Sequence, residues 1–253
     1  MRLLLALLLS LALPCAQASV IVINPYAFGA GVPPEPPPGP TGVGVLAHQT
    51  WTTNSTNYTS GSWTPPNGVA MLAFVSSNGS GTPTAPTSFT GNNLTWVQIG
   101  SFSGGGTAQP RVTVYRTVGT GATTGTMTVA YGATQGNNAI TVVSLVGATT
   151  TGTLGEDAIV QILAASSATA ADPSVTLAPI GGGGGRMVIG YILDNVLSTT
   201  DNEPESGWTE LFEVSVDSPA TGIQFVQRTQ TTDNTLTTTA TARIWTAVGI
   251  EVK

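Results

Sequence analysis

The chain has one cysteine, Cys15, and one histidine, His48. Only 8% of its residues are charged and only seven are Lys or Arg. Each scarcity excludes chemistry. A lone cysteine forms no internal disulfide and no thiolate metal site. A lone histidine would have to serve any Ser-His-Asp triad by itself, and no G-x-S-x-G elbow is present. A strand-surface role suits His48 better. The cations Arg2, Arg111, Arg116, Arg186, Arg228, Arg243 and Lys253 are scattered, and the net charge is -6. Nucleic acid needs clustered Lys and Arg against phosphate, and an anionic membrane surface needs a basic patch, so neither is an expected partner. No convincing amphipathic helix is legible. Ala164 to Ala171 has room for one helical turn.

What is present begins with a secretory signal. Arg2 supplies the positive start and Leu3–Leu13 the apolar core. Ala16-Gln17-Ala18 fits the small-x-small cleavage rule, which puts the mature start at Ser19 and removes Cys15. An apolar run of about eleven residues is too short to cross a bilayer as a helix. The expectation is a secreted, extracellular chain with no membrane segment in its mature form.

Directly behind the signal stands a bare apolar strand, Val20-Ile21-Val22-Ile23. Short, uncharged, β-branched runs pair with other strand edges unless something covers them. A spacer follows, Pro33–Pro40, with the extended polyproline II character of a semi-rigid rod of roughly 25 Å. Strand and spacer together predict a lead that docks on a protein partner or on another copy of the chain.

From Gly42 onward, strand signals alternate with Gly, Pro and Asn turns. The expected strands are 43–48, 69–76, 94–99, 111–118, 126–131, 139–146, 158–164, 174–177, 187–193, 209–216, 223–229, 236–242 and 244–252. Many short strands without helices point to an all-β antiparallel sandwich or jelly roll. Thr suits the solvent face of strands and supplies solubility where charge is scarce. An internal echo runs through the pattern. Trp96 precedes Arg116 by the interval at which Trp208 precedes Arg228. Val69–Phe74 parallels Arg186–Tyr191, and Ala139–Leu145 parallels Arg243–Gly249. Two related halves are expected, about 43–180 and 186–253. The glycine run Gly181–Gly185 would lie near their junction. One sandwich is favoured over two, because each half shows only five or six strands.

Candidate sites are few. Gly181–Gly185 lacks the Lys and Ser/Thr of a phosphate loop, so a flexible connection is the better reading. Asp194, Asp201, Glu203 and Glu205 share the segment Asp194–Ser206. They offer oxygen ligands for calcium without EF-hand spacing; the plainer reading is a solvated loop. Glu156 and Asp157 are adjacent and on a strand would face opposite ways. Trp51, Tyr58 and Trp63 fall in a polar stretch, where exposed aromatic faces stack on sugars or anchor interfaces; the plainer reading is local packing. Trp96, Trp208 and Trp245 read as core. N-x-S/T sequons occur at Asn54, Asn57, Asn78 and Asn93.

The strand patterns Gly68–Phe74, Leu94-Thr95-Trp96, Val112–Arg116 and Thr126–Val129 resemble a loosely defined class of Thr/Gly-rich β-sandwich domains. Such domains recur in bacterial secreted proteins and phage structural proteins. The resemblance covers about Gln49 to Lys253 and implies fold and setting, with no diagnostic functional residue. The expected function is therefore a non-enzymatic structural or recognition module on a cell surface, appendage or virion. It needs no cofactor. The alternatives are a secreted carbohydrate-binding protein and, behind it, a carboxylate-dependent polysaccharide hydrolase or lyase.

Overall fold

A computed structural model describes residues 39–78, 81–104, 109–169, 171–180, 186–195, 203–216, 220–229, 231–239 and 244–253. The signal, the strand Val20–Ile23, most of the spacer, Gly181–Gly185 and Asp201 lie outside these residues. The chain is an all-β sandwich. Its first eight strands are β1 (Gly42–Trp51), β2 (Ser55–Thr59), β3 (Ala70–Asn78), β4 (Pro86–Gly91), β5 (Val97–Ser103), β6 (Arg111–Val118), β7 (Met127–Gln135) and β8 (Asn137–Val146). The next eight are β9 (Ile159–Ser167), β10 (Ser174–Thr176), β11 (Met187–Asp194), β12 (Glu203–Pro204), β13 (Thr209–Val216), β14 (Thr221–Thr229), β15 (Thr235–Thr239) and β16 (Trp245–Val252). Every strand pair is antiparallel.

The strands form two sheets twice over. In the first half the orders are β1-β8-β3-β6-β5 and β2-β7-β4; in the second they are β9-β16-β11-β14-β13 and β10-β15-β12. Adding eight to each strand of the first half gives the second half. The halves meet at Gly147–Ala158, where a short 3-10 turn over Glu156–Ala158 leads into β9. The repeat boundary precedes the glycine run, with β9 and β10 between them, and each half pairs a five-stranded sheet with a three-stranded one. Ala164–Ala171 holds no helical turn among its described residues, since β9 continues to Ser167. Glu156 and Asp157 lie on the 3-10 turn, not on a strand.

The two five-stranded sheets pack face to face, and each three-stranded sheet covers one outer face, which gives four layers. In β3, Leu72 and Phe74 enter the central core, whereas Ala73 and Val75 enter the outer core of the first half. In β11, Ile189 and Tyr191 point centrally and Val188 and Ile192 point outward. Strands covered on both sides carry near-continuous apolar runs, a pattern that antiparallel strands with one wet face lack. Polar side chains are buried too: Thr113, Thr141, Thr246 and Gln224 have no exposed surface. Part of the Thr content therefore serves buried hydrogen bonds, as where Thr246 Oγ1 donates to Pro110 O at 2.6 Å.

Ladder register fixes which residues of the two halves correspond. β5 carries a bulge between Gln98 and Gly100, and β13 carries one between Glu210 and Phe212. With the bulges aligned, Arg116 corresponds to Gln227, Val114 to Phe225, and Phe74 to Tyr191. Phe74 and Tyr191 stack on one another, with centroids 4.8 Å apart and planes 6° from parallel. At the edges, β1 lies against β13 and β5 against β9. Each first-type edge strand thus faces the other half's fifth-type strand. That exchange, with two equivalent residues meeting at the centre, is the signature of an isologous two-fold contact within one chain.

Phe74→Ala and Tyr191→Ala are each expected to destabilise the protein by about 3–5 kcal/mol, as large-to-small changes in a packed core do. In the double variant the two losses should fall short of additivity by about 0.5–1.5 kcal/mol, the worth of a packed aromatic pair. Urea unfolding of the four proteins measures both quantities.

Candidate functional site

The local chemistry of the Trp51–Trp63 segment determines what its aromatics can do. Tyr58 sits on β2 opposite Val129 and is only 2% exposed. Its hydroxyl has one proton to share between two acceptors, Gln135 O at 2.8 Å and Thr53 O at 3.0 Å, and accepts from the Ser55 amide. Burial raises its pKa. Tyr58 is thus a core residue that pins a turn, packed locally and not an exposed stacking face. Trp51 is half-buried and lies tilted on Tyr58, with centroids 5.5 Å apart. Trp63 is also half-buried and makes an isolated bridge with Gly125.

Trp63 O is held by Asn92 Nδ2, which also donates to Thr123 O and Gly125 O. Asn92 and Asn93 both have positive φ, 55° and 54°. Leu94 N donates to Gly91 O, so the pair forms a two-residue hairpin turn of the kind that favours Asn. The aromatic segment is therefore strapped down by turn chemistry. Asn78, one of the sequon residues, is also buried, and its Nδ2 donates to Thr221 Oγ1 across the two halves at 2.9 Å.

The acidic residues separate. Asp194 ends β11, has no exposed surface, and accepts the Gly222 amide at 3.1 Å. A Cβ at position 222 would stand 2.7 Å from that carboxylate, so glycine admits the contact. Glu203 and Glu205 are exposed, on β12 and just after it. Among the described residues no group of three His, Cys, Asp or Glu side chains is placed to hold a metal ion. Glu251 is buried on β16, where Gln161 Nε2 donates to it at 2.6 Å and Arg186 Nε lies 3.6 Å away.

His48 lies in the seam between the halves. Its ring packs on Phe212 of β13 at 5.0 Å, and Nδ1 is 2.9 Å from Thr141 Oγ1. Burial lowers its pKa. The sequence placed it on a strand surface; that surface faces the other half.

One cleft of about 200 Å³ opens where the edges of β5 and β9 meet. Ser101, Phe102 and Ser103 line it from β5, and Ala164, Ala165 and Ser166 from β9, with Thr246 behind. Its lining holds no carboxylate, histidine or cation. Ser101 and Ser103 accept hydrogen bonds from Arg111, whose Nε also donates to Pro83 O. The cleft gave no signal in the sequence, because Ser and Ala carry no recognisable motif. The charge-free run over β9 was the only available clue.

No protein-family model, no curated protein and no solved structure matches the chain.

His48 generates a pH dependence. Its folded pKa lies below the unfolded value of about 6.5, so the unfolded chain binds the proton more readily. Its contribution to stability is intact above about pH 6.5 and declines as the pH falls through that value toward the folded pKa. The urea midpoint should drop between pH 8 and pH 5.5, and the drop should be smaller in His48→Gln.

Proposed function

We propose that this chain is a non-enzymatic extracellular structural or recognition module, a surface, appendage or phage-particle component that docks through Val20–Ile23. What carries the reading is how the head spends its reactive side chains. His48, Asp194, Tyr58 and Glu251, on four different strands, are each engaged in holding strands together. Catalysis by general acid and base needs such groups to converge on a shared, reachable point. A doubled four-layer body suits a rigid carrier, with the attaching element outside it. The secretion signal agrees with an extracellular setting, and no described helix is long and apolar enough to cross a membrane.

Carbohydrate binding is the second reading, and it retains Trp51 and Trp63, the two aromatics of the segment with partial exposure. It predicts hits on a glycan array that disappear in Trp51→Ala and Trp63→Ala; an array without hits ends it.

For the docking reading, the mature chain is compared with a variant lacking residues 19–40. The variant should unfold at the same urea concentration and lose the association that the mature chain shows in sedimentation. Unchanged association would overturn the reading.

A further inference from the structure

The five-stranded sheets end on β1, β5, β9 and β13, and each of these strands has one bulge. The central pairings β3–β6, β3–β8, β11–β14 and β11–β16 run without one. Bulges, charges and prolines keep a free edge from pairing with another chain. β13 adds Glu210 and Glu213. The edge strands of the smaller sheets are short, and β4 and β12 contain Pro86 and Pro204. β1 and β5 are interrupted after Val45 and Gln98.

β9 departs from this pattern in the length of its regular run, since β1 and β5 are likewise free of charged residues and proline. Its bulge falls at Val160, near its start, and from Gln161 to Ser167 its ladder with β16 is unbroken. That stretch has no charge and no proline. Val160 and Leu163 are 42% and 43% exposed. Among the described residues, no strand pairs with the other side of β9. The cleft of about 200 Å³ runs beside this free edge. An uncharged, regular, partly apolar edge is an acceptor for strand addition.

We propose that the Gln161–Ser167 edge of β9 accepts Val20–Ile23 from a second copy of the chain as an added strand. This rests on the reading that Val20–Ile23 docks. The two elements match in chemistry: four uncharged β-branched residues meet an uncharged edge. Strand alternation puts Val20 and Val22 on one face and Ile21 and Ile23 on the other. One pair covers the Leu163 face and the other faces the cleft. The chain enters the described body beside β1, where the Thr41 amide donates to Val146 O. β1 is the edge of its sheet opposite β5, and it is β5 that lies against β9. Entry at the sheet edge far from β9 is the reason for assigning the donor to a neighbouring copy, and the dilute double-cysteine chain below tests this against the chain's own β9. Donor and acceptor are different surfaces, so every copy offers both. Association is then head to tail and continues into a ring or a filament.

The mature chain, residues 19–253, tests this by sedimentation velocity over a wide concentration range. Its average mass should rise with concentration, and Leu163→Lys should stay monomeric with an unchanged urea midpoint. The mature chain has no cysteine, so disulfide trapping is clean. Leu163→Cys mixed with Ile21→Cys or with Val22→Cys should give an intermolecular disulfide with the variant whose side chain shares the Leu163 face. A mature chain that is monomeric throughout would overturn the proposal. So would an intrachain disulfide in a dilute double-cysteine chain, which would assign the strand to its own head. If deletion of residues 19–40 abolishes association but Leu163→Lys does not, docking stands and the β9 acceptor is wrong. If neither change has an effect, both readings fall.

Discussion

The structure depends on one contact, the face-to-face packing of two five-stranded sheets around Phe74 and Tyr191. Neither sheet is sufficient alone. Each has two apolar faces, and a three-stranded sheet covers only one of them. The inner faces, with Leu72, Val114, Ile189 and Phe225, would otherwise stand in water. Burial of apolar surface is the dominant favourable term in folding. The central layer therefore decides that the halves are partners within one body. Hydrogen bonds also cross between the halves, among them Val43 N to Gln227 Oε1 at 2.7 Å and Asn137 Nδ2 to Thr221 Oγ1 at 2.7 Å. They set register; the aromatic and aliphatic packing supplies most of the adhesion.

The same constraint explains what the sequence disclosed. All thirteen expected strands exist, and double burial gives β3, β8, β11 and β16 their conspicuous apolar runs. Three strands escaped notice: β2, β4 and β12. β2 reads Ser-Thr-Asn-Tyr-Thr, β4 starts on proline, and β12 has two residues. They pair with β7 and β15 through backbone and bury single side chains such as Tyr58 and Phe89, so they have no run or period to detect. Without them each half offers only five or six legible strands, the count on which the sequence favours one sandwich over two.

The internal echo is in register at Val69–Phe74 and Arg186–Tyr191, three residues out at Ala139–Leu145 and Arg243–Gly249, and one residue out at the Trp–Arg pairs. Sequence spacing matched Arg116 with Arg228. The ladders match Arg116 with Gln227, and Arg228 points to the opposite face, where it pairs with Asp233 at 2.7 Å. A shift of one residue turns a strand over, and spacing alone cannot detect it. Site legibility failed for a related reason. Tyr58 and Asp194 look like surface chemistry in a polar context, but which face of the strand is wet is set by the layers above and below. Of the described acidic residues of the Asp194–Ser206 segment, Glu203 and Glu205 are exposed and Asp194 is not.

A homodimer built on an isologous face must repeat every residue of that face, so a side chain that gains volume does so twice at once. Covalent continuity removes that obligation. Val114 and Phe225 occupy equivalent central positions with very different bulk, and Phe74 meets Tyr191 where a symmetric pair would place two copies of one ring. The Tyr191 hydroxyl then reaches Ser76 Oγ at 3.3 Å, and Leu193 stands where the first half has Ser76. Size and polarity are thus traded across the centre instead of being duplicated on both sides. A chain organised this way can change one half of its own interface while the other half supplies the compensation.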